Sequence, residues 1–263
     1  MKKLALICLL LALLPMAALA EMPEWEYPLA PEILDNHEGY ITLTNRAVLL
    51  SSDYEPDDLV NVTARKVVTG QLRQAANDAL NRMFAAAEEA GYKLYVKSVY
   101  RSYQTQKTMY NNRLAKVGHD DGWVAYPGSS DHQTGLGADI LNYEWTKKEG
   151  MNEKFAQAEE AQWMYEHCQE FGFVLRYMED KEESTGINFE PWHFRYVGEE
   201  AAQYIMAQHL SLEEFTAEWQ AYVADWEARG GDFDALIKER ARINEVTVID
   251  TDDEGEEEVS FFY

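Results

Sequence analysis

The pattern of apolar and polar positions divides the chain into helices and short strands that follow one another without a regular order. Apolar residues at helical spacing predict helices at 72–90 and 153–171, each followed by a glycine, Gly91 and Gly172. Further helices are predicted at 101–116, 199–209 and 212–229. Alternating or short apolar runs predict strands at 40–50, 94–100, 137–142, 173–177 and 192–197. Because no repeating strand–helix–strand rhythm links these segments, we predict an α+β fold with a small, mainly antiparallel sheet flanked by helices.

Residues 1–20 have the three-part layout of a secretory signal peptide. Lys2 and Lys3 precede the apolar run Leu4–Leu14, and Ala18–Ala20 is a cleavage site of small residues. A retained membrane anchor is the alternative, but the run is shorter than the ~20 residues that a membrane span needs, and Pro15 interrupts it. We therefore predict a protein that is secreted or associated with the cell envelope, with no stable membrane insertion after the signal is removed.

The remaining chain is predicted to contain one domain with extensions on both sides. In order, we predict an extended lead-in, the domain, a helical extension and a disordered acidic tail, at 21–42, 43–210, 211–247 and 248–263. In the tail, Asp250, Asp252 and Glu254 copy the start of a calcium-binding loop. Phe261 stands where calcium needs a bidentate glutamate, so the sequence does not favour a calcium site.

The chain is strongly acidic, with 47 acidic residues against 23 basic ones and a net charge of −24 at neutral pH. Nucleic acids and anionic lipid surfaces repel such a protein, so we expect neither as a partner. The same charge favours solubility outside the cell and tolerates a basic or neutral substrate. The sequence leaves the oligomeric state open, and we expect a monomer.

Cysteine chemistry is not expected to contribute to function. Cys8 lies in the predicted signal peptide, so Cys168 is the one thiol of the processed chain and no internal disulfide can form. Cys168 lies in a predicted helix with an apolar face, which favours a buried, inert thiol over a nucleophile.

The chemistry of the chain concentrates in two segments, SDHQTGLGADI (Ser130–Ile140) and EPWHFRYVG (Glu190–Gly198). Together they contribute two histidines and two carboxylates, namely His132, His193, Asp139 and Glu190. Any of these residues alone is more often an ordinary core, surface or capping residue. As a set, three nitrogen or oxygen ligands and a spare carboxylate have the composition of a catalytic zinc site.

Glu190 has to satisfy a geometric condition to join this set. Positions three apart on a regular strand face opposite sides, so Glu190 and His193 can approach one ion only if Pro191 sets a turn between them. Asp131 is adjacent to His132 in sequence, and adjacent side chains on an extended chain point apart. We therefore expect Asp131 to point away from the ion.

Other sites and other classes of hydrolase have little support. The remaining histidines have no matching carboxylate pattern: His37, His119, His167 and His209. The sequence has no Ser-x-x-Lys, Gly-x-Ser-x-Gly or His-Glu-x-x-His motif, which disfavours serine peptidases of the penicillin-binding type, serine hydrolases with a nucleophile elbow, and helix-borne zinc peptidases.

The two segments resemble the metal motifs of the VanY-type D-alanyl-D-alanine carboxypeptidases, bacterial zinc peptidases that act on peptidoglycan stem peptides. SVYRSYQTQ (Ser98–Gln106) is similar to the carboxylate-binding segment of that family, and YEPDDLV (Tyr54–Val60) to its N-terminal phrase. The resemblance spans 43–209. It departs from the family pattern at Gly137, where alanine or serine is usual, and at Asp131, where glutamate is common.

The resemblance implies a role for each matching residue. Zn²⁺ would be held by His132, Asp139 and His193, with Glu190 as the catalytic base. Substrate contacts would come from Arg101, Gln106, Ser130 and Tyr177. Arg101 would hold the C-terminal carboxylate of a stem peptide through two parallel hydrogen bonds, and the alternative for this residue is an ordinary ion pair.

The resemblance leaves two alternatives open. L,D-carboxypeptidases, which trim tetrapeptide stems, share these motifs. A non-catalytic module that binds the cell wall is the alternative from a different class, but a spare carboxylate such as Glu190 serves no purpose in a purely structural metal site.

Overall fold

The structure is a computed structural model that describes residues 22–242 with their side chains and residues 243–252 as backbone. Contacts between Cα atoms group the chain into two units. One unit comprises 33–219, and the other combines the two ends of the chain, up to Glu32 and from Gln220 onward. The first unit contains the predicted domain of 43–210, and the domain boundaries stay predictions.

The described residues contain six short strands and nine α-helices. The strands are β1 Leu59–Asn61, β2 Gln71–Arg73, β3 Leu94–Ser98, β4 Gly137–Asn142, β5 Phe173–Leu175 and β6 His193–Tyr196. The helices are α1 Pro31–Leu34, α2 Gln74–Glu89, α3 Tyr103–Val117, α4 Tyr143–Thr146, α5 Glu159–His167, α6 Glu182–Thr185, α7 Glu199–Ala207, α8 Leu212–Ala228 and α9 Phe233–Asp252.

The centre of the larger unit is a four-stranded antiparallel sheet with the order β3-β4-β6-β5. β1 and β2 form a separate antiparallel pair. The predicted α+β fold with a small, mainly antiparallel sheet is confirmed. Within the sheet, Asp139 of β4 lies directly opposite His193 of β6, and also pairs with Ser98 of β3 beyond an irregularity in that strand. Residues opposite each other on neighbouring strands share a face, so this register brings distant segments together.

The hydrophobic core lies between this sheet and α2. Ala76, Leu80, Met83 and Ala87 are fully buried along one face of the helix, at the spacing of successive helical turns. They belong to the same cluster as core residues of the sheet such as Phe194. Burial of each large side chain contributes about 1.5–3 kcal/mol, so the core holds the sheet in a fixed position under the site.

The predicted strand at 40–50 is wrong, because this segment forms turns. The side-chain oxygen of Asn45 accepts hydrogen bonds from the backbone N–H groups of Ala47 and Val48, at 2.8 and 3.0 Å. Such local bonds compete with a strand ladder for the same donors. Val48 and Leu49 are exposed, so their alternation does not reflect a buried face.

The predicted helix at 153–171 is interrupted. It consists of a 3₁₀ turn at Glu153–Gln157, then α5, then a second 3₁₀ turn at Cys168–Phe171. Ala158 has extended backbone angles between the first two elements. The break allows both Phe155 and Ala161 to reach the core, where both are buried.

The smaller unit is organised by aromatic side chains. Trp25 packs against Trp226 and Phe233, with ring centroids 5.6 Å apart in both pairs. Tyr27 stacks on Tyr222 at 4.8 Å. The indole N–H of Trp226 donates a 2.9 Å hydrogen bond to the backbone carbonyl of Pro23. The predicted lead-in is therefore an irregular segment that packs on α8 and α9 over 22–30.

Several predictions about the chain ends lie wholly or partly outside the described residues. The predicted signal peptide at 1–20 is outside them, and so is 253–263 of the predicted acidic tail and calcium-like loop. The first residues of that tail belong to α9, which continues to Asp252. Among the helices that the structure describes, none combines the length and the apolar character needed to cross a bilayer.

Candidate active site

A tight turn between the first histidine and β4 brings the two halves of the first segment together. Asp131–Thr134 form a 3₁₀ turn that ends at Gly135, whose φ of 70° is a left-handed conformation that glycine adopts without strain. The chain then enters β4 at Gly137. A Cβ at this position would lie 3.1 Å from the Cβ of Asp131, so the missing side chain allows the turn to pack closely on the strand.

His132 presents one ring nitrogen to the site and fixes the other. Its Nδ1 lies 2.7 Å from the carbonyl oxygen of Val99, which makes Nδ1 the donor and leaves the lone pair on Nε2. Nε2 lies 3.4 Å from Oδ2 of Asp139. Burial, followed by the charge of Arg101, lowers the pKa of His132, which favours the neutral imidazole that a metal ion requires.

His193 and Asp139 meet across the sheet. Nδ1 of His193 lies 2.9 Å from Oδ1 of Asp139, and both side chains are buried. Burial alone would raise the pKa of Asp139, but its interactions with His132 and His193 outweigh burial and hold the pKa below its usual range. The carboxylate is therefore ionised.

The donor set of His132, Asp139 and His193 fits a metal ion. One ligand atom from each residue lies within 4.8 Å of the others, and all three residues are buried. Two imidazole nitrogens and one carboxylate oxygen are a donor set typical of catalytic zinc sites. Among the described residues, no other group of histidine, cysteine and acidic side chains has this arrangement.

Glu190 lies beside this donor set, and the turn at Pro191 that would allow this approach is present. The backbone N–H of His193 donates to the carbonyl of Glu190 at 3.0 Å, closing a turn around Pro191. Oε2 of Glu190 is thereby 3.6 Å from Nδ1 of His193. Burial, and then the charge of Asp139, raise the pKa of Glu190 well above its usual value, while Arg101 opposes the shift.

Arg101 and Gln106 lie in the same cleft and are bonded to each other. Arg101 donates from Nη1 to Oε1 of Gln106 at 2.6 Å and from Nη2 to Oγ of Ser98 at 3.1 Å. Gln106 donates in turn to the carbonyl of Ala125 at 2.7 Å, and it is the buried residue of α3. In the described part of the chain, no carboxylate lies within ion-pair distance of the Arg101 guanidinium, which argues against an ordinary ion pair.

Ser130 and Tyr177 complete the predicted set. Ser130 is buried, lines the cleft and makes no capping hydrogen bond with its side chain. The ring of Tyr177 lies 4.9 Å from that of His193, and its hydroxyl is 3.3 Å from Oδ2 of Asp131. Burial raises the pKa of Tyr177 well above its usual value, so the phenol stays protonated.

Asp131 lies behind the site, outside the set of candidate metal donors, although the local conformation differs from the extended chain that the sequence suggested. Because Asp131 and His132 are in a 3₁₀ turn and not on an extended chain, both side chains reach the region around His193. Asp131 is fully buried and accepts hydrogen bonds from Arg176 and Arg195. The position of Arg195, two residues after His193 on the same strand, is the sequence signal that could have indicated this neighbourhood.

An apolar wall that the sequence analysis did not single out closes one side of the cleft. Trp192 is buried and stacks on Trp123, with ring centroids 6.4 Å apart. Met109 and Met151 also line the cleft. Trp192 lies between Glu190 and His193 in the sequence, and this position could have indicated that it lies at the site.

The thiol and the remaining histidines take no part in the site. Cys168 is fully buried, and burial raises the pKa of its thiol to about 12. An unreactive thiol was predicted from the helical pattern. His167 and His209 pair with single carboxylates at exposed positions, Glu170 and Asp180.

The chain is similar to several known peptidases. The sequence profile of a family described as VanY, D-alanyl-D-alanine carboxypeptidase, matches residues 69–199. A D-alanyl-D-alanine carboxypeptidase of Enterococcus faecalis (strain ATCC 700802 / V583) is 33% identical over 198 residues, which cover 71% of this chain and 69% of the relative.

Solved structures show the same similarity. The structure of the LD-carboxypeptidase LdcB is 37% identical, with a TM-score of 0.63, and the match covers 71% of this chain and 87% of that one. A vancomycin-resistance D,D-pentapeptidase VanY, solved as a mutant in complex with Zn(II), is 31% identical, with a TM-score of 0.56. That match covers 67% of this chain and 98% of the other.

Proposed function

This chain belongs to the VanY family of D-alanyl-D-alanine carboxypeptidases, and on that premise we propose that it is a zinc-dependent enzyme that removes the C-terminal D-alanine from peptidoglycan stem peptides. The observation that carries the proposal is the buried carboxylate of Glu190, 3.6 Å from Nδ1 of His193 and beside two further metal donors. A structural metal site has no use for such a carboxylate, whereas hydrolysis needs one to move protons.

The metal would be held by Nε2 of His132, a carboxylate oxygen of Asp139 and Nδ1 of His193. When bound, a zinc ion supplies Lewis acidity to water and to the substrate carbonyl. The VanY relative solved with Zn(II) supports the choice of metal. The fit of the donor set supports it independently.

Glu190 would act as the general base and then as the general acid. Its carboxylate takes a proton from the attacking water and later returns that proton to the leaving amine of D-alanine. The raised pKa of Glu190 supports this role, because burial makes its carboxylate a stronger base than a carboxylate in water.

Arg101 would select substrates with a free C-terminus. Its guanidinium lies in the cleft without a carboxylate partner among the described residues, so the terminal carboxylate of a peptide can supply one. A planar guanidinium binds a carboxylate through two parallel hydrogen bonds, which fixes the scissile bond one residue from the end. Gln106 would hold Arg101 in position through their 2.6 Å hydrogen bond.

Ser130 and Tyr177 would complete the binding of the peptide. The Ser130 hydroxyl, which makes no capping bond, is free to bond the substrate backbone. The Tyr177 phenol stays protonated and lines the same cleft, and because its proton is donated to Asp131, its oxygen can accept a hydrogen bond from the substrate. Export through the predicted signal peptide would bring the enzyme to its substrate in the cell envelope.

Digestion of purified muropeptides tests the proposal. We expect the protein to convert pentapeptide stems to tetrapeptide stems with release of D-alanine, to lose this activity with a chelator, and to regain it with Zn²⁺. The products are measured by liquid chromatography. Activity that persists through complete removal of metal would contradict the proposal, and zinc binding without any release of D-alanine would instead indicate a wall-binding module.

L,D-carboxypeptidase activity is the second candidate. The structural similarity to the LD-carboxypeptidase LdcB, at 37% identity, supports it. The same digestion separates the two activities, because an L,D-carboxypeptidase converts tetrapeptide stems to tripeptide stems and leaves pentapeptides intact.

A further inference from the structure

The ring of His193 has two nitrogens with different surroundings. Nδ1 faces Asp139 at 2.9 Å and Glu190 at 3.6 Å. Nε2 is buried and has no hydrogen-bond partner among the residues that the structure describes. Oδ2 of Asp131 lies 3.9 Å from Nε2, a gap that a shift of less than about 1 Å would close to hydrogen-bond distance.

The carboxylate of Asp131 is itself held from several sides. Arg176 donates from Nε to Oδ2 at 2.8 Å, Arg195 donates from Nη1 to Oδ1, and Thr44 donates from its hydroxyl to Oδ1 at 3.1 Å. Both arginines and Asp131 are about 1% exposed or less. An anion fixed by two buried guanidinium groups cannot swing towards solvent, so its position relative to His193 is set by the fold.

We propose that Asp131 is a positioning residue that accepts the Nε2–H of His193 and thereby directs the lone pair of Nδ1 towards the metal donors. The inference rests on the proposed metal site. A neutral imidazole carries a proton on one nitrogen only, so an acceptor at Nε2 favours the tautomer whose Nδ1 can bind a metal. Carboxylates behind metal-binding histidines orient the ring and raise its basicity in this way.

Glu213 provides a control that distinguishes a positioning role of Asp131 from a role in the ion-pair network alone. Its carboxylate accepts from the same Arg176 at 2.7 and 2.8 Å. It is therefore a second acidic member of the network, but among the described contacts it makes none with His193. If these acids only stabilise the arginine network, substitution of either one should lower zinc affinity by a similar factor. If Asp131 positions His193, only its substitution should lower zinc affinity.

The first measurement is zinc affinity of the full chain by competition with a chromophoric chelator. We expect Asp131→Asn to lower zinc affinity by about 10- to 100-fold, the usual cost of losing an outer carboxylate. Glu213→Gln should stay within about threefold of the natural protein, and Asp131→Glu should recover part of the loss. Equal losses in Asp131→Asn and Glu213→Gln would overturn the proposal in favour of a scaffold role.

The second measurement is independent of whether Asp131→Asn folds. In zinc-loaded natural protein with ¹⁵N-labelled histidine, long-range imidazole spectra should show His193 protonated at Nε2, with a proton that exchanges slowly with water. A proton on Nδ1 would overturn the inference. Neither readout requires peptidase activity, so failure to release D-alanine would contradict the proposed function and leave this inference standing.

Discussion

The donor wall of the cleft (His132, Asp139 and His193) is fixed by main-chain structure, whereas the arginine wall (Arg101 and Gln106) is fixed by a bond between two side chains. Asp139 and His193 are register partners in the sheet, and the Nδ1 of His132 is tied to a backbone carbonyl. On the arginine wall, the guanidinium is held by Gln106 and Ser98. The donor wall can therefore change only if the sheet changes, while the arginine wall can be retuned by single substitutions.

The largest effect is expected at Glu190, the proposed general base beside the donor wall. Glu190→Gln keeps the shape of the side chain but removes the base, so we expect kcat to fall by about 10²- to 10⁴-fold. Zinc content, measured by metal analysis of the same samples, should not change. Near-normal D-alanine release from the variant would remove Glu190 from the mechanism.

A smaller and more selective effect is expected on the arginine wall. Arg101→Ala would remove the two charge-assisted hydrogen bonds proposed for the terminal carboxylate, and we expect kcat/KM to fall by about 10- to 150-fold. Arg101→Lys is the matched variant, because it keeps the charge and loses the planar pair of donors. The comparison uses stem peptides with a free and with an amidated C-terminus. If the variants lose as much activity on the amidated peptide, Arg101 is a structural residue.

The smallest effect is expected at Gln106, which holds Arg101 through a hydrogen bond. Gln106→Ala removes the partner that holds Arg101 and should lower kcat/KM by about 2- to 10-fold, the value of one ordinary hydrogen bond. The effect should appear mainly in KM and should vanish in the Arg101→Ala background, since the two residues would act as one unit. Additive losses in the double variant would show that Gln106 contacts the substrate independently of Arg101.

Much of the arrangement could be predicted from the sequence, because the relevant residues lie in short, dense segments. The strand at 137–142 matches β4, and the turn at Pro191 that Glu190 needed is present. The spacing of glycines and aromatic residues within these segments indicates where the strand and the turn lie. The fold class follows from the same alternation of helices and strands.

The features that were missed from the sequence depend on contacts between distant residues or on competing local bonds. The burial of Asp131 depends on Arg176 and Arg195, which lie 45 and 64 residues away in the chain. Alternating apolar residues at 40–50 suggested a strand, but Asn45 captures the local donors and the segment turns. The break at Ala158 accompanies the packing of Phe155 in the core. The helical spacing of apolar residues in this segment does not indicate that packing.

The pairing of Pro23 with Trp226 joins positions 203 residues apart in the chain. During synthesis, the segment around Trp25 therefore waits for its aromatic partners until Trp226 has emerged. The smaller unit can form these contacts only after the residues of the larger unit, 33–219, have been synthesised. A chain cut short before α8 ends would display unburied indole and phenol rings near its start, a mark by which quality-control proteases can recognise incomplete copies.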